Sequence, residues 1–127
     1  MALRVLRLTA QDAREYFSDP ACGLVGDDPP DWMDFRALGG VCGAFHQHLW
    51  PGVWMGHLGA LRGAMGHTTE PARMILQDYA QETGAARIIG WVDQKNRPML
   101  ALAKRIGFTV DGVMPLASPV IMLGWEP

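Results

Sequence analysis

The second half of the chain alternates strand-like and helix-like segments, and this alternation limits the fold more than any other feature. From residue 69 to 83 the apolar side chains recur at the spacing of one helical face, and Gly84 follows as a left-handed helix end. A continuous apolar run over residues 86–92 has the length of a buried strand. A second helical pattern over residues 97–106 ends before Gly107. Further strands are predicted over residues 53–61, 108–114 and 118–125. Alternation of this kind predicts that 53–61 and 86–92 are parallel neighbours joined by the first helix.

The first half of the chain has the pattern of short antiparallel strands joined by turns. Residues 3–8 alternate apolar and basic side chains, and Thr9 supplies an N-cap oxygen for a short helix over residues 11–17. The other predicted segments are a loop over 20–31, strands over 32–38 and 41–49, and turns at Gly39-Gly40 and Pro51-Gly52. We therefore predict a single α/β domain over residues 1–127, with a mixed, mostly antiparallel sheet flanked by helices.

Composition and charge exclude several classes of protein. A chain of 127 residues with 49% hydrophobic residues has room for one well-packed domain. Eleven basic residues against thirteen acidic ones give a net charge of −2, whereas dedicated nucleic-acid binders carry a basic face. Arg36, like Arg4, Arg7 and Arg14, is expected to be a solvated charge. No apolar run has the length of a signal peptide or a membrane span.

The cysteine content points to the cellular compartment. Two cysteines, Cys22 and Cys42, are too few for a disulfide scaffold. We therefore expect a cytoplasmic protein with no nucleic-acid partner and no membrane partner, and homo-oligomer formation is left open.

Residues 96–108, with the sequence NRPMLALAKRIGF, carry the most specific pattern in the chain. An Asn opens a helix that ends in a basic residue, one further residue and Gly-Phe, and Gly112-Val113 follow in the next strand. This pattern resembles the C-terminal motif of the GNAT-type N-acyltransferases. The strand, Arg-Gly loop, helix and strand of residues 53–92 are similar to the acyl-CoA motif of the same family. The resemblance implies a GNAT-like fold and transfer of an acetyl or other short acyl group from acyl-CoA to an amine.

The resemblance also implies where acetyl-CoA would bind. The N-terminus of a helix has unpaired N–H groups and a partial positive charge, which suit a pyrophosphate. In the family this helix follows a glycine-rich turn, which corresponds here to RGAMGHTT. The candidate cofactor-binding residues are Gly59, Ala60, Leu61, Arg62, Gly63, Gly66, Thr68 and Asn96.

The turn departs from the family spacing, which is Arg/Gln-x-x-Gly-x-Gly/Ala. Counting back from Gly66 puts Gly63 at the Arg/Gln position, and counting from Arg62 puts Met65 at the first glycine. The alternative interpretation is a glycine-rich turn from strand to helix that binds no phosphate.

The catalytic residues also depart from the family pattern. A Tyr seven residues after the motif's Asn commonly protonates the departing thiolate, and Ala103 stands there in this chain. Residues 41–61 contain no Asp or Glu, so their histidines are the groups that titrate near neutrality. His57 is the candidate catalytic base, with a pKa near 6.5 that burial without a partner would lower. The alternative is a half-buried strand residue with a structural role.

The histidines permit a second interpretation. His46 and His48 share one face of a strand, and a turn centred on Pro51-Gly52 would place His46 opposite His57. Three clustered imidazoles are able to bind zinc. A Pro-Gly turn favours the type II geometry, which fits a hairpin poorly, so this register is insecure and we assign no metal site.

Two main functions follow from these patterns, besides a third hypothesis of a metal-binding or oligomeric adaptor built on the histidine hairpin. The first is a GNAT-like acyltransferase whose acceptor is an amine of a small molecule or a protein. The alternative is a catalytically inactive GNAT-fold scaffold or interaction protein, similar in its short layout to bacteriophage proteins, including some associated with head assembly.

Trp50 and Trp54 flank a turn, so at least one is expected to be exposed as a substrate wall or a partner surface.

Overall fold

The computed structural model describes residues 4–19, 29–48 and 50–127. The strands are β1 (Leu6–Leu8), β2 (Asp34–Leu38), β3 (Val41–Gln47), β4 (Val53–Ala60), β5 (Arg87–Asp93), β6 (Thr109–Met114) and β7 (Val120–Trp125). The helices are α1 (Ala10–Ala13), α2 (Thr69–Thr83) and α3 (Arg97–Ile106), and 3-10 turns lie at Arg14–Phe17 and Arg62–Ala64. Cys22 and most of the predicted loop 20–31 lie outside the described residues.

The strands form one sheet in the order β1-β2-β3-β4-β5-β7-β6. Its neighbouring strands are antiparallel except for β4 and β5, which are parallel and are connected through α2. The predicted mixed, mostly antiparallel sheet is therefore confirmed, as is the parallel pairing of the segments 53–61 and 86–92.

The two long helices begin and end where the sequence predicts. Gly84 and Gly107 follow them in the left-handed region, with φ of +69° and +107°. At the start of α3, the side-chain oxygen of Asn96 accepts a hydrogen bond from the Met99 N–H at 3.4 Å. Thr9 caps α1 in the same way, by accepting from the Asp12 N–H at 3.2 Å. Thr68 differs, because it occupies the N-cap position of α2 without a side-chain bond to the helix.

Helices cover the two faces of the sheet unequally. α2 and α3 pack on one face over the main core, whose large members include Phe45, Leu76 and Ile88. α1 and the Arg14–Phe17 turn pack on the other face, over a smaller cluster that includes Phe35 and Cys42. Because strand side chains alternate, the odd residues of β3 face α2 and the even residues face α1. His46 therefore points to the α1 side of the sheet.

A polar cluster joins β2 to α2 at the edge of the main core. Tyr79 donates from its hydroxyl to Asp34 at 2.7 Å, and burial together with this bond raises the pKa of Tyr79. Arg36 is buried and pairs with Glu82 at 3.2 Å, while its guanidinium lies 5.1 Å from the centre of the Tyr79 ring. The expectation that Arg36 is solvated is wrong, because Glu82 and the Tyr79 ring compensate the buried charge.

The β3–β4 connection also differs from the predicted one. Pro51 and Gly52 form the centre of a turn closed by the Val53 N–H and the Trp50 carbonyl at 3.2 Å, and Gly52 has φ +81°. The strands do not pair through this turn, because the His48 N–H bonds to the Val53 carbonyl at 3.0 Å and closes a longer loop. His46 consequently pairs with Met55, and the predicted pairing of His46 with His57 is wrong by two residues.

Candidate active site

A gap opens in the sheet between β4 and β5. The two strands pair over three positions, from Val53–Arg87 to Met55–Ile89, and they are not paired beyond Met55. β4 stays paired with β3, and β5 stays paired with β7, so both sides of the gap are held in place. The candidate site consists of this gap and of the cavities at its ends.

The first cavity, here called the deep cavity, lies in the gap and has a volume of about 160 Å³. His57 and Leu58 of β4 line one wall, and Gly90 and Trp91 of β5 line the other. Side chains of adjacent strand residues point to opposite faces, so the cavity reaches both faces of the sheet. Its remaining lining residues are Gly56, Leu76, Val92, Asp93, Asn96, Met99, Ala103, Phe108 and Leu123.

The second cavity, here called the outer cavity, has a volume of about 300 Å³ and extends to the N-terminus of α2. Thr68 and Thr69 at the helix start contribute to its wall, as does Arg105 from the end of α3. Leu58, Asn96 and Met99 line both cavities, so the two are continuous along one side. The whole cleft therefore runs from a helix N-terminus into the gap of the sheet.

Most of the predicted cofactor residues line this cleft. Gly59, Ala60, Gly66 and Thr68 line the outer cavity, and Asn96 lines both. Leu61, Arg62 and Gly63 are not among the lining residues of either cavity, because the chain turns outward there into the Arg62–Ala64 3-10 turn. The exposure of Arg62 and Gly63 agrees with this course of the chain.

Gly59 has a packing role that the sequence did not indicate. A Cβ on Gly59 would collide with the Tyr16 carbonyl oxygen and lie 2.7 Å from the Phe17 ring. The absence of a side chain therefore lets the Arg14–Phe17 turn approach β4 closely. Gly66 differs, because it has φ +87° and nothing lies near the place that a Cβ would occupy. It shapes the turn into α2.

The start of α2 has the features of an anion-binding helix end. The first turn of a helix leaves backbone N–H groups without helical partners, and the side chain of Thr68 caps none of them. Arg105 donates from Nε to the Thr69 hydroxyl at 3.1 Å, which fixes its cationic group beside the same helix end. A partial positive charge and a guanidinium thus face one wall of the outer cavity.

His57 is half-buried on β4 and is one of the residues that line the deep cavity. Burial, and to a smaller degree the neighbouring His46, lowers its pKa to about 4. The imidazole is therefore neutral at pH 7 and able to accept a proton, although burial disfavours its protonated form.

The position of the family's thiolate-protonating Tyr holds no acid. Ala103 is buried and lines the deep cavity as the family spacing implies. Tyr79 is held in the core by Asp34, as described above, and does not line the cavity. Among the described residues around the deep cavity, the side chains that titrate are His57 and Asp93.

The three histidines lie close together on the α1 side of the sheet. The ring of His46 is 5.8 Å from that of His57 and 6.3 Å from that of His48, centre to centre. Within the ranges that the structure describes, no group of three His, Cys, Asp or Glu side chains is arranged to hold a metal ion. The zinc interpretation therefore gains no support from the geometry.

Solved structures show which fold this arrangement is. A GNAT-family acetyltransferase from Bacillus anthracis is 14% identical, with a TM-score of 0.73 over 99% of this chain and 95% of that chain. A ribosomal-protein-S5-alanine acetyltransferase from Vibrio fischeri is 9% identical, with a TM-score of 0.74 over 99% and 93% of the two chains. The chain has the GNAT fold. This GNAT fold confirms the fold class implied by residues 96–108.

A third structure contains the family's cofactor. It is a proposed acetyltransferase from Salmonella typhimurium, solved with acetyl-CoA, and it is 12% identical with a TM-score of 0.71 over 99% and 94% of the two chains. No protein-family model matches the present GNAT-fold sequence, and no curated protein is similar to it in sequence.

Two residues of this GNAT-fold site could not be placed from the sequence. Arg105 was visible as the basic residue of the Arg-Ile-Gly-Phe helix end, but its contact with Thr69 depends on how α3 packs against α2. Asp93 ends β5 and lines the deep cavity. The sequence indicated only that this residue lies at the end of a strand, and it did not indicate that the strand end lies beside the gap.

In the described part of the chain, no helix is both long and apolar enough to cross a membrane.

Proposed function

We propose that this protein is an acyltransferase that moves an acetyl or other short acyl group from acyl-CoA to a primary amine. The observation that carries the proposal is the continuous cleft from the N-terminus of α2 to the gap between β4 and β5. One end offers unpaired N–H groups and Arg105 for phosphate, and the other offers an apolar channel with a single imidazole. The bound acetyl-CoA of the Salmonella typhimurium neighbour supports the same assignment.

The outer cavity fits the phosphate-bearing part of the substrate. The first turn of α2 would bind the pyrophosphate through backbone N–H groups, and Arg105 would add a charge-assisted hydrogen bond. Gly66 and Thr68 shape the turn that precedes the helix. The apolar side chains of Leu58 and Met99, which line both cavities, would flank the part that leads toward the thioester.

In the transfer step, the amine nitrogen attacks the thioester carbonyl. A C–N bond forms, the C–S bond breaks, and the products are an amide and the thiol of CoA. The amine nitrogen must lose a proton, and we assign its acceptance, directly or through one water, to neutral His57, which lines the deep cavity. His57 then returns the proton to solvent, a return that its low pKa favours.

The thiolate takes its proton from water in this scheme, because Ala103 replaces the usual acid. General acid catalysis typically contributes 10²–10⁴-fold, so we expect slow turnover. Ala103 and the glycine-rich turn depart from the family pattern, and this also motivates the alternative, a GNAT-fold scaffold without activity. The two are separated by experiment.

Binding is tested first, by isothermal titration of the full chain with CoA. Arg105→Met should raise the Kd about tenfold, because a charge-assisted hydrogen bond to phosphate is lost. Lys104→Met is the matched control, since it removes the same charge from an exposed neighbour that lines neither cavity. Equal effects of the two variants would contradict binding of phosphate at the α2 N-terminus.

Activity is tested by thiol release from acetyl-CoA with a panel of primary amines. We expect release with the wild type and a loss of at least about tenfold in His57→Gln, with CoA binding unchanged. No release on any amine, combined with no CoA binding, would leave the scaffold interpretation. Intact release in His57→Gln would remove His57 from the mechanism while the proposed activity stands.

A further inference from the structure

Five aromatic rings form a continuous surface next to the deep cavity. Trp32 packs edge-on against His46 at 5.3 Å between ring centres, and His46 stacks on His57 at 5.8 Å. His48 lies 6.3 Å from His46 and 5.6 Å from Trp91. These five rings, here called the ring surface, reach from the chain before β2 across β3 and β4 to β5.

The helices that the structure describes do not cover the ring surface. α1 and the Arg14–Phe17 turn pack on the same side of the sheet, but over Ala44 and Cys42, nearer the other end of β3. Trp32 is 66% exposed and Trp91 43% exposed. Large aromatic side chains in such positions lose hydrophobic stabilisation unless a ligand covers them, so an exposed cluster of them indicates a binding surface.

The ring surface is continuous with the deep cavity. His57 and Trp91 belong to both, from opposite sides of the gap. A ligand on the rings therefore lies beside the imidazole that the proposed function uses as the base. The outer cavity is lined by none of the five rings, so the ring surface and the phosphate-binding end are separate parts of the cleft.

The charge beside the ring surface is negative. Asp93 follows Trp91 by two residues on β5, so both point to the same side of the sheet, and both line the deep cavity. The Asp93 Oδ1 accepts from the Lys95 N–H and from the Ser118 hydroxyl, each at 2.8 Å, and Oδ2 takes part in neither bond. These bonds lower the pKa of Asp93, so it is a carboxylate at neutral pH. No Lys or Arg is among the described residues that line the deep cavity.

We propose that the acceptor is an arylalkylamine, a primary amine carried on a planar aromatic group. The aromatic group packs on the ring surface, and Asp93 attracts the ammonium group. The transfer itself rests on the proposed function, and acyl-CoA is the co-substrate. The ammonium releases one proton to solvent, the nitrogen bonds to the acyl carbon as the C–S bond breaks, and the second proton leaves through His57. The thiolate is protonated by water.

The first test measures binding without acyl-CoA, so that it does not depend on turnover. The full chain is titrated with 2-phenylethylamine and with 2-cyclohexylethylamine, which has the same amine on a saturated, non-planar ring. We expect the aromatic amine to bind about tenfold more tightly, since contacts between aromatic rings contribute on the order of one factor of ten. Equal affinities, or no binding of either amine, would overturn the inference.

Variants locate the binding. Trp91→Leu should remove the preference for the aromatic amine, and Trp50→Leu should keep it. Trp50 is the matched control, because it is an exposed tryptophan, 67% accessible, that takes part in none of the ring contacts above. Trp32→Leu repeats the test at the other end of the surface if Trp91→Leu does not fold. A preference that survives both substitutions would contradict the ring surface as the site.

The second test measures thiol release with the same two amines and acetyl-CoA. A higher kcat/KM for 2-phenylethylamine that Trp91→Leu lowers through KM would support the proposal. Thiol release without a preference would overturn the aromatic acceptor and leave the proposed acyltransferase standing. Selective binding of the aromatic amine without thiol release would support the ring surface as a ligand site and contradict the acyltransferase.

Discussion

His46 and His57 stack with ring centres 5.8 Å apart, although they are not paired across β3 and β4. His46 is paired with Met55, and His57 with Ala44, so the two rings meet diagonally. Diagonal neighbours on one face of a sheet are within reach when the side chains are aromatic. Burial disfavours a positive charge on His57, and the neighbouring His46 adds to this effect.

The first prediction concerns stability against pH. The pKa of His57 is near 6.5 in the unfolded chain and about 4 in the folded protein, so between these values the unfolded state binds more protons. Stability therefore rises as the pH rises from about 4 to 6.5, by up to about 3 kcal/mol from this residue. Urea unfolding at several pH values should show that the free energy of unfolding changes less with pH in His57→Gln than in the wild type. His67→Gln, at an exposed turn, serves as the control. The same pH dependence of the unfolding free energy in the wild type and in His57→Gln would contradict the assignment of a buried, neutral imidazole at His57.

The second prediction concerns Asn96. Asn96→Ala removes the acceptor for the Met99 N–H and should lower the free energy of unfolding by about 1 kcal/mol. Asn96→Ser retains a capping oxygen and should recover most of that loss. Because Asn96 lines both cavities, the Ala variant should also bind CoA more weakly, as measured by titration. Unchanged stability of Asn96→Ala would show that the cap is not formed.

The third prediction separates a glycine required for packing from one that is not. Gly59→Ala should destabilise the protein by about 1–3 kcal/mol, because the methyl group collides with Tyr16 and Phe17. Gly63→Ala has open space around the added Cβ and should unfold with the wild-type midpoint. Thermal unfolding of both variants measures the difference in stability. A large loss of CoA affinity in Gly63→Ala would contradict the placement of Gly63 outside the cleft.

The fourth prediction concerns the polar cluster that joins β2 to α2. Tyr79→Phe removes the hydroxyl that donates to Asp34 at 2.7 Å and should cost about 1–2 kcal/mol in denaturant unfolding. Thiol release should be unaffected at equal folded concentration, since Tyr79 lies in the core away from the cleft. A selective loss of activity with unchanged stability would place Tyr79 in the mechanism instead.

The long helices and their ends were predictable because their causes are local. The apolar spacing of residues 69–83 and 97–106 selects one buried face, and Gly84 and Gly107 occupy the left-handed positions that end the helices. The cap by Asn96 likewise depends on residues three positions apart. Parallel pairing of β4 and β5 follows from the intervening helix, since a crossover of this kind brings the second strand back in the same direction.

The register of β3 and β4 was not determined locally. Pro51 and Gly52 do form a tight turn, but its geometry suits a loop better than a two-residue hairpin, and pairing resumes at His48 and Val53. The prediction failed by two residues, which keeps every side chain on its expected face. For that reason the clustering of the histidines was preserved although their partners changed.

The sequence by itself determined the capped helices and the parallel strand pair, because these depend on short-range spacing, and the resemblance of residues 96–108 to the family motif implied the GNAT fold. Only the tertiary structure decided that Arg36 is buried against Glu82, that Gly59 makes room for the Arg14–Phe17 turn, and that Arg105 contacts Thr69. It also brought Trp32 and Trp91, which are distant in the chain, to the two ends of one ring surface. Contacts of this kind depend on how separate elements pack against each other, and residue spacing within one element carries no record of that packing.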